Sequence, residues 1–358
     1  MRTSRMKTKL VVISVILVSY IFAGISQGDV LYLGDGTNKP ITDTGIQTWD
    51  LTTTNWLTPN DAGGTYQTWA QGSNAVFVTD GANERANISG NIEVGDITKT
   101  GAKNVELQVL SSSDSLTVNG TLPAGTYLYG TWGGSGTFGG TMILSGWIQI
   151  NATPVFAPGT TIISDNAGGV TLWSPNADCT NLTIAINSRN LGLAASGVTL
   201  GSFTGNTFLD AQGGIQSVSN ALFTINSLSP GSSVSSDGIG SFKVIADYTG
   251  DLTLGGGTHA FDIDFTGGAT NSDMIVLNET TGDLTFGGTL DVALLGGMPV
   301  LGTTFDLFDA ASFAGSFSAT NLPALADERL QWSTSSLGID GTIFVELGPA
   351  KGAVFFVQ

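Results

Sequence analysis

One short phrase occurs twice in the C-terminal third of this chain: GDLTLGGGT from Gly250 to Thr258, and GDLTFGGTL from Gly282 to Leu290. The offset is 282 minus 250, or 32 residues. A fixed period of that size, with apolar residues alternating inside each copy, marks stacked supersecondary units and not one globular core. Each copy reads as strand, Gly-rich turn, strand. Side chains alternate faces along a strand, so Leu252 and Leu254 point inward while Thr253 points out, and Leu284, Thr285 and Phe286 repeat the arrangement one level on. A single copy cannot bury such a face, so several consecutive units are required.

Composition agrees. The 358 residues include 50 glycines, and charged residues make up only 11%, far below the usual quarter. With 41% hydrophobic residues the chain can bury a sizeable core, which excludes disorder as a general description. Thr, Ser, Asn and Gly between short apolar strands are what an all-β protein with many turns needs. Between residues 105 and 225 the strands VELQVL, SLTVNG, GTFGGTMILSGWIQI and NLTIAI follow one another too closely for a helical crossover. Stacked parallel levels and an antiparallel β-sandwich both fit that spacing. Taking 32 residues as one circuit, the 330 residues after residue 28 give about ten levels and a body on the order of 50 Å long.

The order of the phrases resembles a known family. LSPGSS (Leu228 to Ser233) is followed by GDLTLGGGT, then SDMIVLN (Ser272 to Asn278), LTFGGTLDVAL, and TTFDLFDAASFAGSF (Thr303 to Phe317). This is similar to the C-terminal part of bacterial secreted proteins with autotransporter-associated β-strand repeats. The N-terminal block also resembles that family, through the T-W-D-x-x-x-x-N-W phrase at Trp49, Asp50, Asn55 and Trp56 and the A-x-F strand at Ala75 and Phe77. The resemblance implies a right-handed single-stranded parallel β-helix that is secreted and mostly non-enzymatic. The family's sorting signal and its translocator barrel are not visible in this sequence.

The expected organisation is a processing segment at 1–28, Trp-containing levels and a cap at 29–110, middle levels at 111–225, C-terminal repeats and a cap at 226–348, and a tail at 349–358. Residues 1–28 have a basic start (Arg2, Arg5, Lys7, Lys9), an apolar run from Leu10 to Ile25 and small residues before Asp29, the pattern of a cleaved export signal, with an uncleaved anchor as the alternative. Export through the inner membrane to the cell surface or beyond is the expected localisation, with no membrane span after cleavage. Removing the segment takes away four of 12 basic residues and none of 29 acidic ones, leaving 8 minus 29, or −21. Such a charge repels nucleic acid and anionic membranes. Cys179 is the sole cysteine, so no internal disulfide forms, and it reads as a small buried residue.

Trp49, Trp56 and Trp69 are read as cap and core of an otherwise open first level, the competing use being a sugar-stacking face. At the other end Pro323 to Leu330 is read as the one segment able to make a helical turn, with Trp332 covering the last level. His259 is the only histidine, in the strand THAFDIDF, and is read as an ordinary strand residue. No phosphate loop is present, and no catalytic or cofactor-binding set is expected. Asp262 and Asp264 leave one face of a strand together, a spacing that suits a sugar or a cation, and Asp306 to Asp309 is a second place for calcium. The expected role is that of a non-enzymatic adhesin-like surface protein contacting extracellular polysaccharide, matrix or cells. The alternative is a carbohydrate-active enzyme using Asp262 and Asp264.

Overall fold

The computed structural model describes residues 30–349 except 35, 42–44, 110, 130–136, 152–154, 166–168, 173–177, 188, 194–196, 206, 210–220, 232–237, 245–249 and 278–280. The expected processing segment at 1–28 and the tail beyond Pro349 lie outside the described residues, as do Ser232 and Ser233 of the LSPGSS phrase.

The chain is nearly all β. Two long sheets dominate, and every ladder along their length is parallel. One runs from Asn91–Val94 at one end to Ser312–Gly315 at the other, and the second from Ile46–Trp49 to Phe308–Asp309. From Thr160–Asp165 to Gly250–Leu254, successive described strands along the chain go alternately to the two sheets. The antiparallel pairing that a sandwich would need is confined to smaller sheets. Val30–Leu33, Trp56–Thr58 and Thr65–Gln67 pair this way near the N-terminus. Thr304–Asp306, Leu330–Ser333 and Thr342–Leu347 do so near the C-terminus.

Strand alternation decides what each sheet hides. Ser115–Val118 buries Leu116 and Val118 and leaves Ser115 and Thr117 partly open, and Asn91–Val94 does the same with Ile92 and Val94. Because neighbouring strands are in register, these residues stack: Ile92 on Leu116, Leu116 on Phe138, and Phe138 on Phe156. The repeated phrase stacks in the same way. Leu252 faces Leu284 and Thr253 faces Thr285 on adjacent parallel strands, with Phe223 below and Phe313 above. One apolar cluster includes residues from Leu31 to Ile343.

The circuit length differs from the sequence expectation. From Leu116 to Phe138 the step is 138 minus 116, or 22 residues, and from Ile162 to Ile184 it is again 184 minus 162, or 22. The 32-residue step belongs to the last levels, where each circuit carries an additional strand, Thr258–Asp264 and then Thr289–Gly296, in a sheet of their own.

Aromatic residues cluster near the first and the last described strands. Trp49, Trp56 and Trp69 pack with ring centroids 4.5–4.9 Å apart and are at most 4% exposed. The phrase around them is tied locally: Asp50 accepts the backbone N–H groups of Thr52 and Thr53, and Asn55 Nδ2 donates to the Thr48 carbonyl at 2.6 Å. At the other end Trp332 stands 5.9 Å from Phe305.

The helical turn expected at Pro323 to Leu330 is not formed. The Pro323 carbonyl, which a helix would use, accepts the Trp332 indole N–H at 2.7 Å, and Asp327 draws the Arg329 backbone and guanidinium into a local turn. Among the described residues the one α-helical turn is Leu337–Asp340, closed by Gly341 with φ +78 and packed on Ser312–Gly315. Among the described residues no helix is long and apolar enough to cross a membrane.

Candidate functional site

The carboxylates singled out in the sequence lie on the strand Thr258–Asp264. His259, Phe261 and Ile263 are buried, and Asp262 and Asp264 are half-buried on the opposite face, as the alternation requires. Asp264 is engaged locally: its Oδ1 accepts the Thr266 N–H at 3.1 Å and the Thr266 hydroxyl at 2.7 Å. Asp262 lies beside Gly238, where a Cβ would come 2.7 Å from Oδ2, and burial pushes its carboxyl above the usual carboxylate range.

The backbone of Asp262 is held by a carboxylate the sequence had not singled out. Asp273 is 1% exposed. Its Oδ2 accepts the Asp262 N–H at 2.8 Å, its Oδ1 accepts the Gly240 N–H at 2.5 Å, and its own N–H donates to the Asp262 carbonyl at 2.8 Å. A buried carboxylate is tolerable only with such donors. Gly231 completes the knot: it has φ +98, and a Cβ there would come 2.1 Å from the Gly238 carbonyl oxygen and 3.1 Å from Asp273 Oδ1. The L-x-P-G phrase and the S-D phrase, 273 minus 231 or 42 residues apart, are thus two sides of one joint. That ordered pair of phrases was the signal that could have found Asp273.

The remaining candidates are structural in their contacts. His259 is fully buried. Its Nε2–H donates to the Gly255 carbonyl at 3.2 Å, Nδ1 has no partner, and burial holds its pKa below the ordinary value despite that hydrogen bond. Cys179 is fully buried opposite Leu200, and burial, helped by the Asp178 charge, pushes its thiol up to about 12. The burial of Trp49, Trp56 and Trp69 overturns their use as a sugar-stacking face, because an interior ring offers no plane to a pyranose.

The calcium expectation finds no donor group. Asp306 has a raised carboxyl pKa through burial and the nearby Asp309 and Asp340. Yet among the described residues no three His, Cys, Asp or Glu side chains are placed to share a metal ion. Other turn acids bind the next level instead: Asp251 accepts the Asp283 N–H at 3.0 Å, and Asp283 accepts the Ser312 hydroxyl at 2.6 Å. A comparison with protein families, curated proteins and solved structures finds no match to this chain.

Proposed function

We propose that the protein is a right-handed, single-stranded parallel β-helix of the autotransporter-associated repeat type, exported by a bacterium and working at the cell surface by contact, without turnover. The observation that carries this reading is the alternation of strands between two long parallel sheets over one apolar core, which leaves the outward rows of both sheets as the working surface. A surface of this kind suits glycan, matrix or cell partners, and the −17 charge of the whole chain disfavours nucleic acid. The basic and apolar run at 1–28 supports export.

Beads coated with the purified protein should adhere to cells or polysaccharide matrix, and fractionation of the producing cells should place the chain outside the inner membrane. Coated beads that adhere no better than beads carrying an unrelated acidic protein would refute the contact role. The burial-raised carboxyl of Asp262 is the one observation favouring a carbohydrate-active enzyme, since a general acid needs that shift. Polysaccharide followed for new reducing ends should remain intact, and cleavage abolished by Asp262→Asn would favour the enzyme instead.

A further inference from the structure

Two outward rows cross the second long sheet near its N-terminal end. In register, the first reads Arg85, Glu106, Tyr127, Gln149 and Thr171. The second, two residues along each strand, reads Asn87, Gln108, Tyr129 and Asn151. The intervening residues point inward: Ala86, Leu107, Leu128, Ile150 and Leu172 all belong to the core cluster. Apart from one ion pair, these rows hold amides, phenols and a hydroxyl, whereas an ordinary solvated face carries scattered Lys, Glu and Asp.

The rows are arranged, not merely polar. Arg85 Nε donates to Glu106 Oε2 at 2.7 Å, so the charge of a 9% exposed carboxylate is matched on the spot. Asn104 Nδ2 donates to the Tyr127 hydroxyl at 3.1 Å, and the Tyr127 and Tyr129 rings stand edge to face with centroids 6.2 Å apart. At each end an outward polar atom is hidden and unsatisfied. Asn87 Oδ1 has no partner, and neither has the hydroxyl of Thr171, a residue only 1% exposed on the outward face. A hidden polar atom without a partner is costly, so these two mark a face whose hydrogen bonding is incomplete within the chain.

We infer that this face is a binding strip for an uncharged oligosaccharide, with Tyr127 and Tyr129 as the ring contacts and Asn87, Gln108 and Gln149 as the hydroxyl partners. The inference rests on the surface-contact role proposed above and names its site and ligand class. A sugar presents what these rows can engage, hydroxyls that donate to and accept from amides and phenols, and apolar C–H faces that lie on phenol rings. The strip excludes other occupants. Its strands are paired on both sides, so a peptide cannot add to them as a strand. Glu106 already has its cation, and the acidic chain repels polyuronates. From the strand of Asn87 to that of Gln149 there are three steps of about 4.8 Å, or roughly 14 Å, the reach of a short oligosaccharide and not of a single sugar.

The test is calorimetric titration of the purified full chain with cello-, manno- and xylo-oligosaccharides of two to six units, with oligogalacturonate as the anionic comparison. At least one neutral series should bind, its affinity rising with length to about four units and then levelling. Tyr129→Ala should weaken it about tenfold with an unchanged melting temperature. Gln149→Ala, a change on the same outward face, should weaken it as well and covers the case in which Tyr129→Ala misfolds. Binding untouched in both folded variants, or a preference for oligogalacturonate, overturns the strip. No binding to any neutral series also overturns it. If coated beads still adhere to cells or matrix in that last case, the contact role stands without the strip; if adhesion fails too, both fall.

Discussion

Leu252 and Leu284 lie opposite each other on adjacent parallel strands, 32 residues apart, and both are essentially excluded from solvent. The pair shows what a repeated phrase does in this chain: each copy supplies the apolar floor on which the next is laid. Leu284→Ala removes that floor from inside a filled core and should cost about 2–5 kcal/mol in denaturant unfolding. The double variant with Leu252→Ala should cost less than the sum of the two single changes, because the second truncation enlarges a cavity already present. Strict additivity would mean that the two side chains do not share a packing site.

Asp273 joins three stretches of chain through its backbone partners at Gly240 and Asp262. Asp273→Ala takes the acceptor from both half-buried N–H groups, a loss of up to about 1–3 kcal/mol for each. Asp273→Asn keeps one acceptor oxygen and should lose less. Hydrogen exchange should show the difference locally, with faster exchange at Gly240 and Asp262 in the Ala variant and little change near Trp49.

The tryptophan cluster predicts a separation between stability and ligand binding. Trp56 is fully buried against Trp49 and Trp69, so Trp56→Ala should cost about 3–5 kcal/mol and lower the melting temperature, while any glycan affinity of the folded protein stays the same. A loss of affinity at constant melting temperature would return these rings to the binding surface.

How much of this was legible in the sequence follows from how local each signal is. The stacking of Leu252 on Leu284 was legible because alternation and a repeated phrase both lie on the chain itself. The burial of Trp49 and Trp56 was legible from the size and apolar area of the rings themselves. The circuit length was not, since the repeated GDLT phrase falls where Thr258–Asp264 and Thr289–Gly296 add a strand to each circuit, while the 22-residue step from Leu116 to Phe138 repeats no phrase. Asp273 escaped because an acid reads as solvated until its partner is known, and Gly240 is 33 residues away. The turn at Pro323 failed for a related reason: its carbonyl is claimed by Trp332, nine residues on. The outward rows around Tyr127 and Tyr129 were hidden because their members are brought together only by register.

Cys179 tests the burial of the middle levels. With the thiol pushed up to about 12 by burial, almost no thiolate exists at neutral pH. Iodoacetamide should leave the native protein unmodified over hours and label it stoichiometrically in denaturant. Rapid labelling without denaturant would mean that the strand Asp178–Asn187 opens readily.

His259 gives the protein a defined response to acid. Its Nε2–H is fixed on the Gly255 carbonyl, so the proton taken up in acid must go to Nδ1, which is buried without a partner. The folded state therefore holds the ring neutral, with a pKa below the ordinary value of about 6.5. The sign follows from proton uptake. Above about pH 6.5 the ring is neutral in both states and stability is independent of it. Below that, the unfolded chain binds a proton that the folded chain refuses, and stability falls with pH until the folded pKa is reached, at up to about 1.4 kcal/mol per pH unit. Asp262 and Asp306, whose carboxyl pKa values are raised, act in the opposite sense: they favour the folded state as pH falls into the carboxylate range. The difference between the parent and His259→Gln isolates the histidine. Denaturant midpoints measured from pH 7.5 to 5 should fall more steeply for the parent, and parallel profiles for the two proteins would show that the imidazole finds a partner for its second nitrogen when it is protonated.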